Sequence, residues 1–228
     1  MGVHVLVRPP VPDVPDWLPV GEVHRADRSH RDVDRSRRLT AAVLLHEVAG
    51  RLCGLHPGDV RLVRVCPACG PGDHGRPTVL GDRTVHLSST HSGQVVAALG
   101  AVGARVGVDA EPLGRTEFPG FDDIALHPAE RRRLAGVDVQ ERSWWRTRQW
   151  TRKEALFKAL GTGLTLDPRG VDVRDDGTLA WVGRAPVTGA PRPRRWQEVT
   201  LDSGDHVITC VALPRGSGPS TPCSGHRR

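Results

Sequence analysis

Hydrophobic positions recur along the chain at two spacings, which predict a protein built from both helices and strands. Between residues 32 and 53 the spacing is three to four residues, typical of a helix with one buried face, with apolar side chains at Leu39, Val43, Leu44 and Val48. Gly54 follows directly and predicts the end of this helix. Short apolar runs elsewhere predict strands over residues 59–65, 85–87, 95–99, 104–111, 197–201 and 206–213.

Prolines and glycines add further boundaries. The proline-rich residues 1–26 predict an initial strand followed by an extended segment. Pro128 predicts the start of a helix, because proline is favoured in a first helical turn. A longer helix is predicted from Ser143 to Leu160, ended by the glycines at positions 161 and 163.

The remaining segments complete a two-part organisation. Residues 171–182 predict a hairpin whose turn is Asp176-Gly177. Pro186 to Arg195 is a basic, proline-rich loop, and the Gly/Ser/Pro-rich tail 214–228 is predicted to be disordered. Two subdomains of mixed helix and strand are expected, over residues 1–106 and 107–213.

Charge narrows the class of partner. The net charge is +6 and the pI about 9.7, which suits an anionic partner such as nucleic acid, a phosphorylated ligand or an acidic protein. Of the 32 basic residues only two are lysines, and both lie in one short stretch, at Lys153 and Lys158. Lysine carries a compact ammonium that arginine does not reproduce, so this stretch predicts a site with a specific need for it.

Targeting signals are not evident. No apolar run approaches the roughly 18 residues of a membrane span, and the apolar stretch before Arg8 is too short for a signal peptide. The five cysteines are an odd number, which favours reduced thiols. A soluble, cytoplasmic protein without a membrane partner is therefore expected.

Two carboxylates share one face of the predicted strand 104–111. Asp109 and Glu111 lie two residues apart, so their side chains point the same way, while Val106, Val108 and Ala110 point towards a core. Like charges this close repel, and a bound cation reverses the sign of that energy. Hard oxygen ligands suit Mg²⁺. A solvated strand end remains the alternative.

A second charged set lies on the predicted helix 143–160. Trp150, Glu154 and Lys158 fall at i, i+4 and i+8 along one face, with Lys153 and Phe157 beside it. A carboxylate and an ammonium therefore project side by side. The alternative is an ordinary exposed Glu–Lys pair, which contributes about 0.3–0.5 kcal/mol to helix stability.

Taken together, the two sets resemble the motifs of the Sfp-type 4′-phosphopantetheinyl transferases. The family pattern G-V-D-x-E, then W-x-x-K-E-A-x-x-K and G-x-G-L about 40 residues later, is matched from Gly107 to Glu111 and from Trp150 to Leu164. Gly75-Arg-Pro77 is similar to the family's G-K-P segment, and Ser88 to Gly93 to its S-H-S-G turn, with Thr90 in place of the serine before the histidine. The resemblance covers about residues 25–182.

The resemblance implies a fold and an activity. The fold would be an α+β fold of two similar subdomains about a pseudo-twofold axis, with coenzyme A between them, in a monomer. The reaction would move phosphopantetheine from coenzyme A to a serine of an acidic acyl or peptidyl carrier protein, releasing adenosine 3′,5′-bisphosphate. A role in secondary metabolism, on polyketide or nonribosomal peptide carriers, is expected.

Site roles also follow from the resemblance. Asp109, Glu111 and Glu154 would bind Mg²⁺, or Mn²⁺ in its place, and Lys158 would contact a phosphate and stabilise developing charge. Coenzyme A would further contact Arg35 or Arg31, Arg76, Thr90 and His91. Lys153 would also contact coenzyme A, or else bind the substrate or support the site. Glu130 would be the general base towards the serine, or else only an acidic residue in a first helical turn. Arg131, Arg132 and Arg133 would offer a docking patch for the carrier, or else form a solvated helix face.

Cys66-Pro-Ala-Cys69, with His74 five residues later, stays outside this assignment. A full zinc ribbon needs a second ligand pair, which the sequence lacks, so a loop without metal is the interpretation, with a metal site or a redox pair as alternatives.

Two other function classes compete with the transferase. A nucleic-acid-binding protein would explain the basic pI, but not a set of three carboxylates, and 4% aromatic residues offer few stacking surfaces. A non-catalytic carrier-binding relative would be expected to have lost one of these carboxylates or lysines.

Overall fold

The computed structural model describes residues 2–66, 69–182 and 192–213, so most of the basic loop 186–195 and the whole tail 214–228 lie outside the described residues. The helices are α1 Val20–Asp27, α2 Asp32–Cys53, α3 Phe121–Ala125, α4 Pro128–Ala135 and α5 Arg142–Leu160. The strands are β1 Val3–Arg8, β2 Leu62–Cys66, β3 Gly70–Gly72, β4 Arg76–Val79, β5 Val85–Ser92, β6 Val95–Val102, β7 Arg105–Pro112, β8 Val171–Val173, β9 Leu179–Trp181, β10 Gln197–Ser203 and β11 His206–Leu213.

The first half of the chain forms a six-stranded antiparallel sheet in the order β1-β6-β5-β4-β2-β3. Helix α2 packs on it through Leu44, Leu45 and Val48, which share a core with Leu87 and Val96. The predicted helix 32–53 is confirmed at both ends, and Gly54 ends it in the left-handed conformation (φ 69°).

The second half is built around α5. A three-stranded antiparallel sheet, β10-β11-β7, carries α5 on one face, and the hairpin β8–β9 packs beside it. Leu156, Phe157 and Leu160 of α5 share a core with Val171 and Val211. The predicted hairpin over 171–182 and the strand pair over 197–201 and 206–213 are confirmed.

The two halves meet along β6 and β7. Val106, Val108 and Ala110 are buried in one cluster with Ala97 and Leu99 of β6. The predicted inward face of the carboxylate strand is therefore confirmed, and the carboxylates lie on the opposite face. The mixed α and β fold is confirmed, whereas the pseudo-twofold relation, the boundary at 106 and the monomeric state stay predictions.

Three local predictions were wrong. Residues 20–27 form a helix, not an extended segment, because the prolines stop at Pro19, which precedes the first turn. The short helix α3 was not predicted. The cysteine loop contains two strands, since β3 and β4 both pair with β2. No helix in the described part of the chain has the length and hydrophobicity needed to cross a membrane.

Candidate active site

The site forms where α5 crosses β7. Gly107 allows this crossing, because a Cβ atom there would lie 1.9 Å from the carbonyl oxygen of Ala155. The backbones of the strand and the helix therefore approach more closely than any side chain on residue 107 would permit. This contact sets Asp109, two residues along β7, beside Lys158, one turn along α5.

Asp109 lies at the centre of the site and is only 4% exposed. Its Oδ1 accepts hydrogen bonds from Lys158 Nζ (2.6 Å) and from Thr90 Oγ1 (3.0 Å). Lys158 Nζ also donates to the Val108 carbonyl at 3.1 Å. The Oδ2 atom is buried and has no hydrogen-bond partner among the described residues. Burying a carboxylate oxygen without a hydrogen-bond partner costs free energy of folding unless a ligand or cation binds that oxygen.

Two further carboxylates adjoin Asp109. Burial raises the pKa of Glu154 to about 7, helped by the negative charges of Asp109 and Glu111 and opposed by Lys158. Burial likewise raises the pKa of Glu111, with Asp109 adding to it, while a hydrogen bond from Ser92 Oγ to Glu111 Oε2 (2.8 Å) opposes the rise. Glu111 and Glu154 therefore both resist ionisation beside Asp109 in the absence of a cation.

A row of hydroxyls on β5 positions the carboxylate strand. Ser88, Thr90 and Ser92 alternate along one face of β5. They contact β7 in register: Ser88 Oγ accepts from the Val108 N–H (3.1 Å), and the other two donate to Asp109 and Glu111. The family resemblance implies that Thr90 lies beside a phosphate, whereas in the structure its hydroxyl donates a hydrogen bond to Asp109. This row was missed by sequence reasoning, although the alternation of hydroxyls was its visible signal.

The donor set has the chemistry of a site for a hard divalent cation. Three carboxylates offer oxygen ligands, the Asp109 Oδ2 atom lacks a partner among the described residues, and positive charge would lower the raised pKa values of Glu111 and Glu154. The three carboxylates are not, however, among the described groups whose ligand atoms converge to within 4.8 Å of one another. Carboxylate oxygens with open positions suit Mg²⁺ or Mn²⁺ better than softer metals.

Two cavities extend from this cluster along the sheet. The first is lined by Lys158, Ser88, Arg76 and the glycines 161 and 163 of the turn after α5. The second, here called the arginine groove, is lined by Arg25, Arg28, Arg38, Arg64, Ser89 and His91. They share Arg64, Gly75 and Ser89, so a continuous path leads from Lys158, which contacts Asp109, to the four arginines of the second cavity.

His91 and Arg38 face this groove. Partial burial lowers the pKa of His91, and the neighbouring positive charges of Arg37 and Lys158 lower it further, so the ring is neutral at pH 7. Among the described residues Arg38 has no ion-pair partner, whereas Arg25 pairs with Glu22 (2.6 Å) and Arg28 with Asp73 (2.9 Å). Arg38 is therefore available to an anionic ligand.

The other arginines expected at the nucleotide lie elsewhere. Arg35 pairs with Asp27 (2.8 Å) and Arg31 with Asp34 (2.7 Å), and neither lines the arginine groove. Arg76 does line the first cavity, but its Nη2 donates to the carbonyls of Lys158 and Ala159 at the end of α5. Burial lowers the pKa of Arg76 to about 10. Its guanidinium thus satisfies helix-terminal carbonyls.

Glu130 and Lys153 take the structural positions that were the alternatives to their site roles: Glu130 completes the capping box in the first turn of α4, and Lys153 pairs with it. Both side chains are fully buried and pair at 2.6 Å. Lys153 Nζ also donates to the carbonyls of Ala125 (2.8 Å) and Pro168 (2.7 Å), and Glu130 accepts from the backbone N–H groups of residues 127 and 173. Burial lowers the pKa of Lys153, and Glu130 opposes that shift. Neither side chain lines the first cavity or the arginine groove, and the pair joins α4 to α5.

Comparison with known proteins points to one superfamily. Residues 105–211, just under half of the chain, match the family model described as the 4′-phosphopantetheinyl transferase superfamily. Among solved structures, a holo-(acyl-carrier-protein) synthase from Bacillus anthracis str. Ames, in complex with CoA (3′,5′-ADP), is 21% identical; the match covers 48% of this chain and 96% of that one, with a TM-score of 0.40. A holo-[acyl-carrier-protein] synthase from Neisseria meningitidis is 20% identical over the same shares, with a TM-score of 0.37. The curated proteins give no match.

Proposed function

We propose that this chain, whose residues 105–211 match the 4′-phosphopantetheinyl transferase superfamily, is a transferase that moves phosphopantetheine from coenzyme A to a serine of an apo-carrier protein. In this reaction a bond forms between the serine Oγ and the β-phosphorus of coenzyme A. The pyrophosphate P–O bond breaks, adenosine 3′,5′-bisphosphate leaves, and the serine proton is released.

One observation carries the proposal: Asp109 has a buried oxygen without a partner among the described residues, and it pairs with Lys158, which lines the path to the arginine groove. Asp109, Glu111 and Glu154 would hold Mg²⁺, which supplies positive charge to pyrophosphate oxygens when bound. A pyrophosphate at this end and an adenosine bisphosphate towards Arg38 match the distribution of charge along the path.

The side chains around this path would then have different roles in binding and transfer. Lys158, 28% exposed and anchored by Asp109, presents its ammonium to a phosphate oxygen and stabilises charge as the bond breaks. Neutral His91 and the cationic Arg38 bind and orient the nucleotide part. Ser88, Thr90 and Ser92 keep the carboxylates in place, which preserves the geometry on which an in-line displacement depends.

The carrier would bind near α4, where arginines are exposed. Arg131 and Arg133 of the run 131–133 are held by Asp123 (2.5 Å) and Asp172 (2.6 Å), while Arg132 is exposed and has no ion-pair partner among the described residues. An acidic helix of a carrier protein suits this face. The Sfp-type motifs imply broad carrier selectivity, so both acyl and peptidyl carriers are expected to react.

Intact-protein mass spectrometry tests the proposal. An apo-carrier incubated with the protein, coenzyme A and Mg²⁺ should gain the mass of one phosphopantetheine group. The gain should be lost with Asp109→Asn and with EDTA, and retained with Asp13→Asn, which changes an exposed carboxylate outside the site. No gain on several acyl and peptidyl carriers would refute the transfer, and a gain that survives Asp109→Asn would refute the metal assignment.

A further inference from the structure

Cys66, Cys69 and His74 form a cluster that the transferase site does not use. Cys66 is the last residue of β2 and pairs across the hairpin with Gly70 of β3, which brings Cys69 back beside it. His74 precedes Gly75, whose φ of 104° turns the chain over β2. A Cβ atom at Gly75 would lie 2.4 Å from the Val65 carbonyl, so the glycine permits the close approach that delivers His74 to the cysteines.

The potential ligand atoms converge. The two Sγ atoms and a ring nitrogen of His74 all lie within 4.8 Å of one another. In a tetrahedral zinc site, with Zn–S distances of about 2.3 Å and Zn–N distances of about 2.0–2.1 Å, ligand atoms stand roughly 3.5–3.8 Å apart. Small side-chain rotations would bring the three atoms from within 4.8 Å to this separation. Cys69 and His74 can rotate in this way because they are exposed.

We propose that Cys66, Cys69 and His74 bind one Zn²⁺ ion, with water in the fourth position. Two thiolates and an imidazole are soft and borderline ligands that favour zinc, in contrast to the all-carboxylate set around Asp109. The absence of a second cysteine pair, which argued against zinc at the level of sequence, excludes a ribbon but not a three-ligand site.

A zinc ion at this site would account for the stability of the β2–β3 hairpin. Strand β3 is Gly70-Pro-Gly72, which has no hydrophobic side chain to bury and stands at the edge of the sheet. Glycine and proline are poor strand residues, and a short edge hairpin is marginal without packing. A metal ion bound at its turn end would join the hairpin to the segment 73–75 between β3 and β4, which carries Asp73 and His74, both of which line the arginine groove.

Metal analysis of the full chain tests the inference. Protein expressed with added zinc and purified without chelators should contain one zinc per chain by elemental mass spectrometry. Cys69→Ser and His74→Ala should each lose it, while Cys53→Ser, a half-buried cysteine at the end of α2, should keep it. Circular dichroism verifies that the variants are folded. Wild-type protein with no more zinc than Cys69→Ser would overturn the inference.

Two further measurements separate zinc from its alternatives. Cobalt substitution should give tetrahedral ligand-field bands and a sulfur-to-metal charge-transfer band, which a metal-free loop or a Cys66–Cys69 disulfide would not show. Thiols that resist alkylation until a reductant is added would establish the disulfide and overturn zinc. Asp109→Asn should retain full zinc content, so the failure of this site and the failure of the transferase proposal are distinguishable.

Discussion

At the scale of single residues, Glu154 combines function with a cost in stability. Its pKa of about 7 exceeds the ordinary value of 4.5, so the folded protein binds a proton there that the unfolded chain releases. The free energy of unfolding therefore falls as the pH rises from about 4.5 to 7, by at most about 3 kcal/mol at 1.36 kcal/mol per pKa unit. A bound cation removes this penalty, because it stabilises the ionised carboxylate.

Glu154→Gln should consequently stabilise the metal-free protein at pH 8 while abolishing transfer. The melting temperature of the variant should exceed that of the wild type at pH 8 without Mg²⁺, and the two should converge at pH 5. Added Mg²⁺ should raise the melting temperature of the wild type only. A variant less stable than the wild type at pH 8 would show that Glu154 is already stabilised as an anion without a cation.

The other lysine of the pair is explained by packing. Lys153 Nζ has three acceptors at 2.6–2.8 Å in a fully buried site, which matches the three hydrogens of an ammonium and leaves no room for a guanidinium. Removing one partner of a buried ion pair leaves an uncompensated charge, which costs about 3–5 kcal/mol.

Lys153→Met should therefore destabilise strongly, and Lys153→Met with Glu130→Gln should recover much of the loss, because no charge is then buried. Urea unfolding of the wild type, both single variants and the double variant gives the coupling energy. Additive losses would mean that the two side chains do not depend on each other. Recovered transfer in a folded double variant would further separate this pair from the chemical step.

At the scale of elements, the contact of α5 with β7 depends on Gly107. A methyl group there meets the Ala155 backbone at 1.9 Å, which only a shift of the helix relieves. Gly107→Ala should cost about 3 kcal/mol or more and should weaken transfer by moving Lys158 from Asp109. Gly21→Ala, in a helix with open space at its Cβ, is the matched control and should be neutral or stabilising. Equal stability of the two variants in chemical denaturation would contradict the close crossing.

The same elements show what sequence reasoning could reach. Helices α2 and α5 were predicted within one residue, because each repeats its apolar spacing over several turns. Helices α1 and α3 span eight and five residues, too few turns for a periodic signal. Strand β3 has no hydrophobic pattern at all, and only its pairing with β2 defines it.

For the candidate site too, sequence could place the side chains whose positions follow from a local pattern, but not those whose positions depend on tertiary packing. The alternation of a strand and the spacing of a helix determine the faces of Asp109, Glu111, Glu154 and Lys158, so the sequence could place these four side chains. Their roles at a site follow from the family resemblance and stay predictions. The burial of Glu130 depends on how α4 docks against α5, which no local pattern records. The groove arginines were missed for a related reason: Arg25 and Arg28 lie on or directly after the unpredicted α1, and Arg38 is one turn beyond the expected Arg35.

At the scale of the whole molecule, little of the net charge of +6 is available to a ligand in the arginine groove, because Arg25, Arg28 and Arg64 already have acidic partners. Arg38 is the exception among the described residues, and we expect it to bind the 3′-phosphate of coenzyme A. Hydrogen bonds to charged groups contribute about 1.5–3 kcal/mol, so Arg38→Ala should weaken coenzyme A binding by about 10- to 100-fold.

Calorimetry with coenzyme A and with 3′-dephospho-coenzyme A measures the contribution of the 3′-phosphate to affinity, because the Arg38→Ala variant should lose affinity for the first ligand only. Arg83→Ala, an exposed arginine outside the groove, should bind both ligands as the wild type does. Equal losses for both ligands would instead assign Arg38 to the pyrophosphate, whereas no loss for either would mean that the nucleotide does not occupy the arginine groove.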